Sequence, residues 1–176
     1  LGDYIYEYGK GTYPGAGEAH PDRALAPDAE IVALADYRLR YATYRADPDL
    51  QRLHQVLPMI AVWDDHESAN DSWKDGAQNH QSEEGAWAVR KAAAMQAYRE
   101  WLPVADTPYS AYQVGDLATL FRIDTRLEGR DQQFRLENVM EGAKDPQTLM
   151  TALATFRDGE WADAERQLLG VAQEAW

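Results

Sequence analysis

Apolar positions along the chain fall into helical and extended patterns separated by glycine and proline. Ile31, Leu34, Tyr37, Tyr41 and Tyr44 recur at spacings of three and four, so they share one stripe of a helix expected over residues 29–46 with Asp28 as its cap. Asp47-Pro48 stops that helix, and Asp49 to Leu57 is expected to begin a second, shorter one. Pro58 to Trp63 is a compact apolar run behind a proline, short enough for a buried strand, and Leu1 to Tyr8 reads as the end of another strand running into a loop. The clearest helical pattern lies over Glu83 to Leu102, where Trp87, Ala94, Tyr98 and Trp101 share a face, and Pro103 ends it. Ala111–Val114 and Leu117–Ile123, joined through Gly115-Asp116, are expected to form a hairpin. Residues 9–27 and 70–82 read as loops, 127–160 carry no clear pattern, and a helix is expected to start over 162–176.

Two of the expected strands end in polar clusters. Pro58–Trp63 runs into Asp64-Asp65-His66-Glu67, and the second arm of the hairpin runs into Asp124-Thr125-Arg126. Polar residues at the carboxyl ends of strands are where α/β folds place their sites. Four consecutive ionisable residues after a buried apolar strand carry a large desolvation cost unless they have partners or a metal. A solvated loop with a capping aspartate is the plainer alternative.

Composition narrows the chemistry. The 176 residues, 45% of them hydrophobic with six Trp, suffice for one domain with a real core. With 17 Lys and Arg against 30 Asp and Glu, the formal charge of −13 repels a polyanion, so duplex nucleic acid is not an expected partner. There is no cysteine, which excludes disulfides and thiolate metal sites and leaves oxygen and imidazole as metal ligands. Clustered carboxylates can hold multivalent cations that reverse the local field. No run of apolar residues is long enough to span a bilayer. The chain begins without Met inside what reads as a site loop and ends within an expected helix, so sequence is expected on both sides.

Gly2-Asp3-Tyr4-Ile5-Tyr6 sets a carboxylate and, three residues later, a phenol where both can face one point. A phenol with an ordinary pKa of about 10 ionises readily only beside strong positive charge, which suits a trivalent ion. The bland reading packs Tyr6 in the core and uses Asp3 to cap a turn. In the second cluster one carboxylate, Asp64 or Asp65, is a candidate ligand. His66 is either a ligand or the group that protonates a leaving alkoxide. Asn70 and Asp71 are candidates for orienting the site. His80 lies in a loop on the same side, whereas His20 and His54 read as solvated or structural. Arg126 and Arg130 can bind phosphate bidentately or form salt bridges to Asp124 or Asp131. Arg38, Arg40 and Arg45 are expected to pair with acids on their own helix.

These strings carry a resemblance. Leu1 to Tyr8, Asp36 to Arg45, Trp63 to Glu67, Ala92 to Tyr98 with Glu100 to Pro103, Gly115 to Ala118, Asp124 to Arg126 with Arg130 to Gln132, and Leu168 to Gly170 with Gln173, Glu174 and Trp176 follow one another in the order found in PhoD-like alkaline phosphatases. The match covers residues 1–132 and 166–176. It implies an α/β fold, a metallophosphoesterase-like two-sheet sandwich flanked by helices, of which 1–176 is a central segment truncated at both ends. It further implies metal-dependent hydrolysis of phosphate mono- and/or diesters, small-molecule or polymeric, by an exported enzyme, secreted or periplasmic, that uses Fe3+ and Ca2+. Carried over by motif, Asp3, Tyr6 and Asp65 are metal ligands and His66 is the catalytic imidazole. Asp64, Asn70, His80, Arg126 and Arg130 are left as phosphate-binding or supporting groups, and Asp64 can exchange roles with Asp65. The family's remaining ligands lie outside this segment, so the segment alone is expected to be inactive. Two rival readings remain: a noncatalytic acidic calcium-binding module, and a glycosidase pairing Asp64 or Asp65 with Glu67.

Overall fold

A computed structural model describes residues 2–13, 15, 17, 20, 22–104, 107, 109–132, 143–155 and 157. Its regular elements up to residue 132 are α1 (Leu34–Arg45), α2 (Pro48–Val56), α3 (Trp87–Trp101) and the strands β1 (Ser110–Val114) and β2 (Ala118–Arg122). A 3-10 turn, Ser82–Glu84, precedes α3. The expected helix at 162–176 lies outside the described residues.

Helix α1 starts later than the apolar stripe implies, at Leu34. The cause lies upstream, where backbone groups are already used: Ile31 N–H donates to the Glu7 carbonyl at 3.0 Å and Lys10 N–H to the Asp28 carbonyl at 2.8 Å. The chain therefore stays extended through Ile31. Asp36 in the first turn accepts from the Ala33 N–H at 2.9 Å, satisfying one of the donors that a helix start leaves over. Helix α2 begins at Pro48, one residue before the expected Asp49: Asp47 accepts from Asp49 and Leu50 N–H, both at 2.9 Å, so the pair that ends α1 also caps and opens α2. Helix α3 starts at Trp87, not Glu83, because Gly85 sits at φ +94° and breaks the helical path after the 3-10 turn.

Helices α1 and α3 pack together over the core. Tyr37, Tyr41, Ala97 and Tyr98 are fully buried with Ile5, Ile31 and Leu127. Tyr41 stacks on Trp101 at 6.4 Å, and Trp63 meets Tyr98 edge-on at 5.4 Å. Outside the core Arg38 clamps Glu100 of α3 with two bonds of 2.7 and 2.6 Å. This corrects the expectation that the arginines of α1 pair along their own helix. Arg45 instead donates to the Tyr4 hydroxyl at 3.3 Å, and Arg40 is fully buried among backbone carbonyls.

The hairpin forms as read, antiparallel with Val114 opposite Ala118 and Ser110 opposite Arg122, and Gly115 takes φ +52° at its turn. It is the only sheet among the described residues. Pro58–Trp63 and Gly2–Tyr8 are not strands. A strand exists only through a ladder with a neighbour, and no described segment forms one with either. Pro58–Trp63 keeps only the strand's alternation at its end, with Ala61 and Trp63 buried. Residues 146–155, within the stretch that showed no pattern, are helical. Asp145 accepts from Gln147 and Thr148 N–H at 2.9 Å each, the same Asp-Pro start as at α2.

Candidate metal and phosphate site

The two acidic loops meet. Gly2 lies so close to the second loop that a Cβ there would stand 2.8 Å from the Asp64 Cβ and 3.0 Å from its nitrogen, so only glycine allows this approach. Asp3 follows in the left-handed region at φ +54°, a conformation unfavourable to a residue with a side chain. Glu67 ties the loops together. It is almost fully buried, and its carboxylate accepts from Tyr4 N–H at 2.5 Å and Asp64 N–H at 2.6 Å. Burial, opposed by these bonds, pushes its pKa up to about 7.

Asp3, Asp65 and His66 each bring one ligand-capable atom to within 4.8 Å of the other two. Asp65 is buried, its Oδ2 accepting from Asp71 N–H at 2.7 Å. Asp3 Oδ1 is buried without a hydrogen-bond partner. Burial, then the charges of Asp64 and Asp65, hold the Asp3 carboxyl above its ordinary pKa. An orphaned carboxylate oxygen facing further acids is costly unless a cation satisfies it, so the donor set fits a hard metal ion.

His66 is fixed by a residue that sequence reading did not single out. Its Nδ1 lies 2.7 Å from Glu7 Oε2, and Glu7 is fully buried. The other Glu7 oxygen accepts from Asn70 N–H at 2.7 Å and Asn79 Nδ2 at 2.9 Å. Burial favours the protonated acid, but the bonds from His66, Asn79 and Asn70 outweigh it and hold Glu7 below its usual range. At His66 burial opposes the charge, and the bond and charge of Glu7, with Asp65 and Asp3, raise the imidazole above 6.5. The signal for Glu7 was a lone acid inside the aromatic run Tyr4–Tyr8. Asn79 left no comparable sign.

Tyr6 stacks on His66 at 4.2 Å and on Tyr13 at 4.8 Å. Burial, then Asp3 and Tyr13, push its phenol up to about 12. Arg40 fixes the backbone beneath: its guanidinium donates to the carbonyls of Tyr6, of Tyr8 (2.9 Å), Ala26 (3.2 Å), Pro27 (3.0 Å) and Ala29 (3.2 Å). From α1, Tyr37 donates its hydroxyl to the Ser68 carbonyl of the second loop.

Arg126 joins the corner from the far end of the hairpin. Its Nε donates to Asp64 Oδ1 at 2.5 Å, its Nη2 lies 3.5 Å from Asp65 Oδ1, and Nη1 is buried without a partner. Asp124 braces the turn by accepting from Arg126 and Leu127 N–H at 2.7 and 2.9 Å. Asn70 and Asp71 serve the site through their backbone N–H groups, as given above, and the Asn70 amide donates to Gln78 at 2.9 Å. Arg130 accepts Lys74 N–H through its carbonyl at 3.0 Å. His80 makes its contacts with the Gly85 carbonyl, Glu84 and Trp87. His54 accepts from or donates to the Tyr4 hydroxyl at 2.7 Å. The glycosidase reading finds no support, since both Glu67 oxygens are committed to backbone N–H groups.

Carboxylates and an imidazole gathered on irregular loops make a donor set suited to a cation, and a guanidinium lies beside them. Comparison with known proteins gives the family. The pattern of the PhoD-like phosphatases matches residues 1–176, and the chain belongs to that family. It is 36% identical over 186 residues to alkaline phosphatase D of Bacillus subtilis (strain 168), an alignment that takes in 100% of this chain and 28% of that protein. A solved structure, "Structure of PhoD", superposes with a TM-score of 0.64 at 37% identity, over 76% of this chain and 26% of that one. The chain thus spans little more than a quarter of its curated relative. No helix among the described residues is long and apolar enough to cross a membrane.

Proposed function

We propose that this chain is the central segment of a metal-dependent phosphoesterase domain that hydrolyses phosphate mono- and diesters. The observation that carries the reading is the buried, unpartnered Asp3 Oδ1 at the point where Asp65 and His66 converge. Asp3, Asp65 and the Tyr6 phenol would hold the cations, ferric iron and calcium by family kinship. Bound there, such cations would supply charge that neutralises phosphate oxygens and acidifies a water.

The chain's own groups then have separable tasks. Glu7 holds His66 by Nδ1, which leaves Nε2 to carry a proton to the leaving alkoxide. Arg126, anchored by Asp64 and beside Asp65, has its Nη1 available for a phosphoryl oxygen, and this place in the corner favours it over Arg130 and His80 as the phosphate donor group. Asn70 supports the site through Glu7. The acidic corner favours small or flexible phosphate esters over duplex nucleic acid.

The segment is proposed to need the rest of a two-sheet sandwich for activity. Leu117, Phe121, Leu120 and Val114 of the hairpin are exposed, an apolar surface suited to cover by neighbouring structure. Export, secreted or periplasmic, follows from family kinship. The test is to purify the intact protein, measure iron and calcium, and assay a chromogenic phosphate monoester and diester at alkaline pH. A visible tyrosinate-to-iron band with hydrolysis is expected. Metal-replete protein that cleaves neither ester would overturn the reading, and metal binding without any hydrolysis would return the calcium-module alternative.

A further inference from the structure

The Glu7–His66 pair is supported from behind by a loop and a helix. Residues 70–79 double back on themselves: Asn79 N–H donates to the Asn70 carbonyl at 3.2 Å, Gln78 N–H to the Asp71 carbonyl at 3.4 Å, and Trp73 N–H to the Gly76 carbonyl at 2.8 Å. The fold-back sets Asn79 beside Asn70, so the Asn70 N–H and the Asn79 amide reach the same oxygen, Glu7 Oε1, at 2.7 and 2.9 Å. Behind the loop stands Arg90 of α3, which is 1% exposed. It donates to the Asn79 carbonyl at 2.8 Å, the Ile31 carbonyl at 2.9 Å and the Tyr37 hydroxyl at 3.1 Å, and to Glu30 and Glu84 at 2.8 and 3.2 Å. Three of these partners lead to the Glu7–His66 pair. Asn79 holds the Glu7 carboxylate, the Ile31 N–H holds the Glu7 carbonyl, and Tyr37 holds Ser68 in the turn that follows His66.

We propose that Asn79, backed by Arg90, is a positioning residue that sets the plane of the Glu7 carboxylate and through it the direction of the His66 imidazole. The inference rests on the phosphoesterase reading for the task of His66 and adds the groups that aim it. The torsion that turns a glutamate carboxylate is broad, so a bond from one oxygen to His66 does not fix its plane. Two donors on the other oxygen do. One is the Asn70 backbone, and the Asn79 amide is the side chain that completes the pair. The bond at His66 Nδ1 fixes where Nε2 points, so a turned carboxylate swings the proton-carrying nitrogen off the leaving oxygen. A guanidinium suits the support role, because its rigid fork of N–H groups holds two carbonyls and a hydroxyl in fixed geometry from one buried charge. Glu30 and Glu84 balance that charge.

The test uses the intact, metal-loaded protein and a chromogenic phosphate ester, with Asn79→Ala and Asn79→Asp made alone and together with His66→Ala. Asn79→Asp keeps the shape of the side chain and removes its donor. Both single variants are expected to lower kcat by about tenfold to a hundredfold, the usual cost of losing a group that orients a site residue, with KM and metal content changing far less. In the His66→Ala background the same substitutions should cost almost nothing more, because a residue that acts through His66 then has nothing left to position. Wild-type kcat in Asn79→Asp overturns the proposal, as does an equal fractional loss with and without His66, which marks general damage to the fold. Crystal structures of intact wild type and Asn79→Ala give a readout independent of turnover. The Glu7 and His66 side chains are expected to change conformation, and an unmoved pair overturns the proposal. If metal-loaded wild type cleaves no ester, the phosphoesterase reading falls, and the two crystal structures decide whether Asn79 positions His66.

Discussion

The site corner and the hairpin invert the usual relation between regularity and order. Residues 2–8 and 64–71 form no helix or strand, yet Ile5, Glu7, Glu67, Ser68 and Ala69 are almost fully buried, and carboxylates or a guanidinium take up much of the loop backbone. The hairpin β1–β2 has a full ladder, but Leu117 is 87% exposed and most of the second strand lies open. Backbone groups must be satisfied somewhere. In the hairpin they satisfy one another, which costs no side chains and buries little. In the corner Glu7, Glu67, Asp65 and Arg40 satisfy them, which frees the chain to take the irregular path that sets Asp3 beside Asp65.

If the corner is the catalytic region, the largest effects belong to it. His66→Ala in the intact enzyme should lower kcat by about a hundredfold or more, the usual worth of a general acid, with metal content changing far less. Asp65→Ala should lower both. Equal turnover of wild type and His66→Ala at matched metal loading would remove the histidine from the mechanism.

Arg40→Met tests whether side chains hold the corner's backbone. Losing one buried cation takes its donor from the carbonyls of Tyr6, Tyr8, Pro27 and Ala29 and leaves that of Ala26 with the Thr43 hydroxyl, and a loss of about 3 kcal/mol or more is expected in denaturant unfolding. A change below about 0.5 kcal/mol, the range of surface substitutions, would show that the loops are ordered by packing alone.

Away from the corner the expected effects are smaller. Asp47→Ala removes the cap of α2, and the effect should depend on pH. Bonds from Leu50 N–H first, then the Arg23 charge, hold the Asp47 carboxyl below its ordinary 3.8. A lowered folded-state pKa contributes stability that is present above 3.8 and lost as pH falls through the folded value. The difference between wild type and variant should therefore be full at neutral pH and fade below that range, measured by thermal unfolding across pH. A difference that persists in acid would show that the cap works without its charge.

The smallest change is expected at the hairpin tip. Leu117→Ser should alter stability of the isolated segment by less than about 0.5 kcal/mol. In the intact protein the proposed cover over the hairpin predicts a larger loss, and the same small value in both settings would show that the hairpin stays open.

Much of the local structure was legible in the residues themselves. Asp47-Pro48 marks the end of α1, Gly115-Asp116 marks the hairpin turn, Pro103 marks the end of α3, and Asp64-Asp65-His66-Glu67 marks a polar cluster that the fold packs against the Asp3 loop. Each signal is local, because a cap, a turn or a periodic stripe acts within a few residues. What the tertiary structure decided involves groups far apart in the chain. Glu7 reaches His66 across 59 positions, and Arg126 reaches Asp64 across 62. Arg40 looked like one charge among several on α1, and only the folded chain shows that it faces five carbonyls instead of an acid. The same distinction explains the misread strands at Gly2–Tyr8 and Pro58–Trp63. Apolar alternation states which side of a segment is buried, whereas a strand also needs a neighbour at hydrogen-bonding distance, and no local pattern encodes where a distant segment will lie.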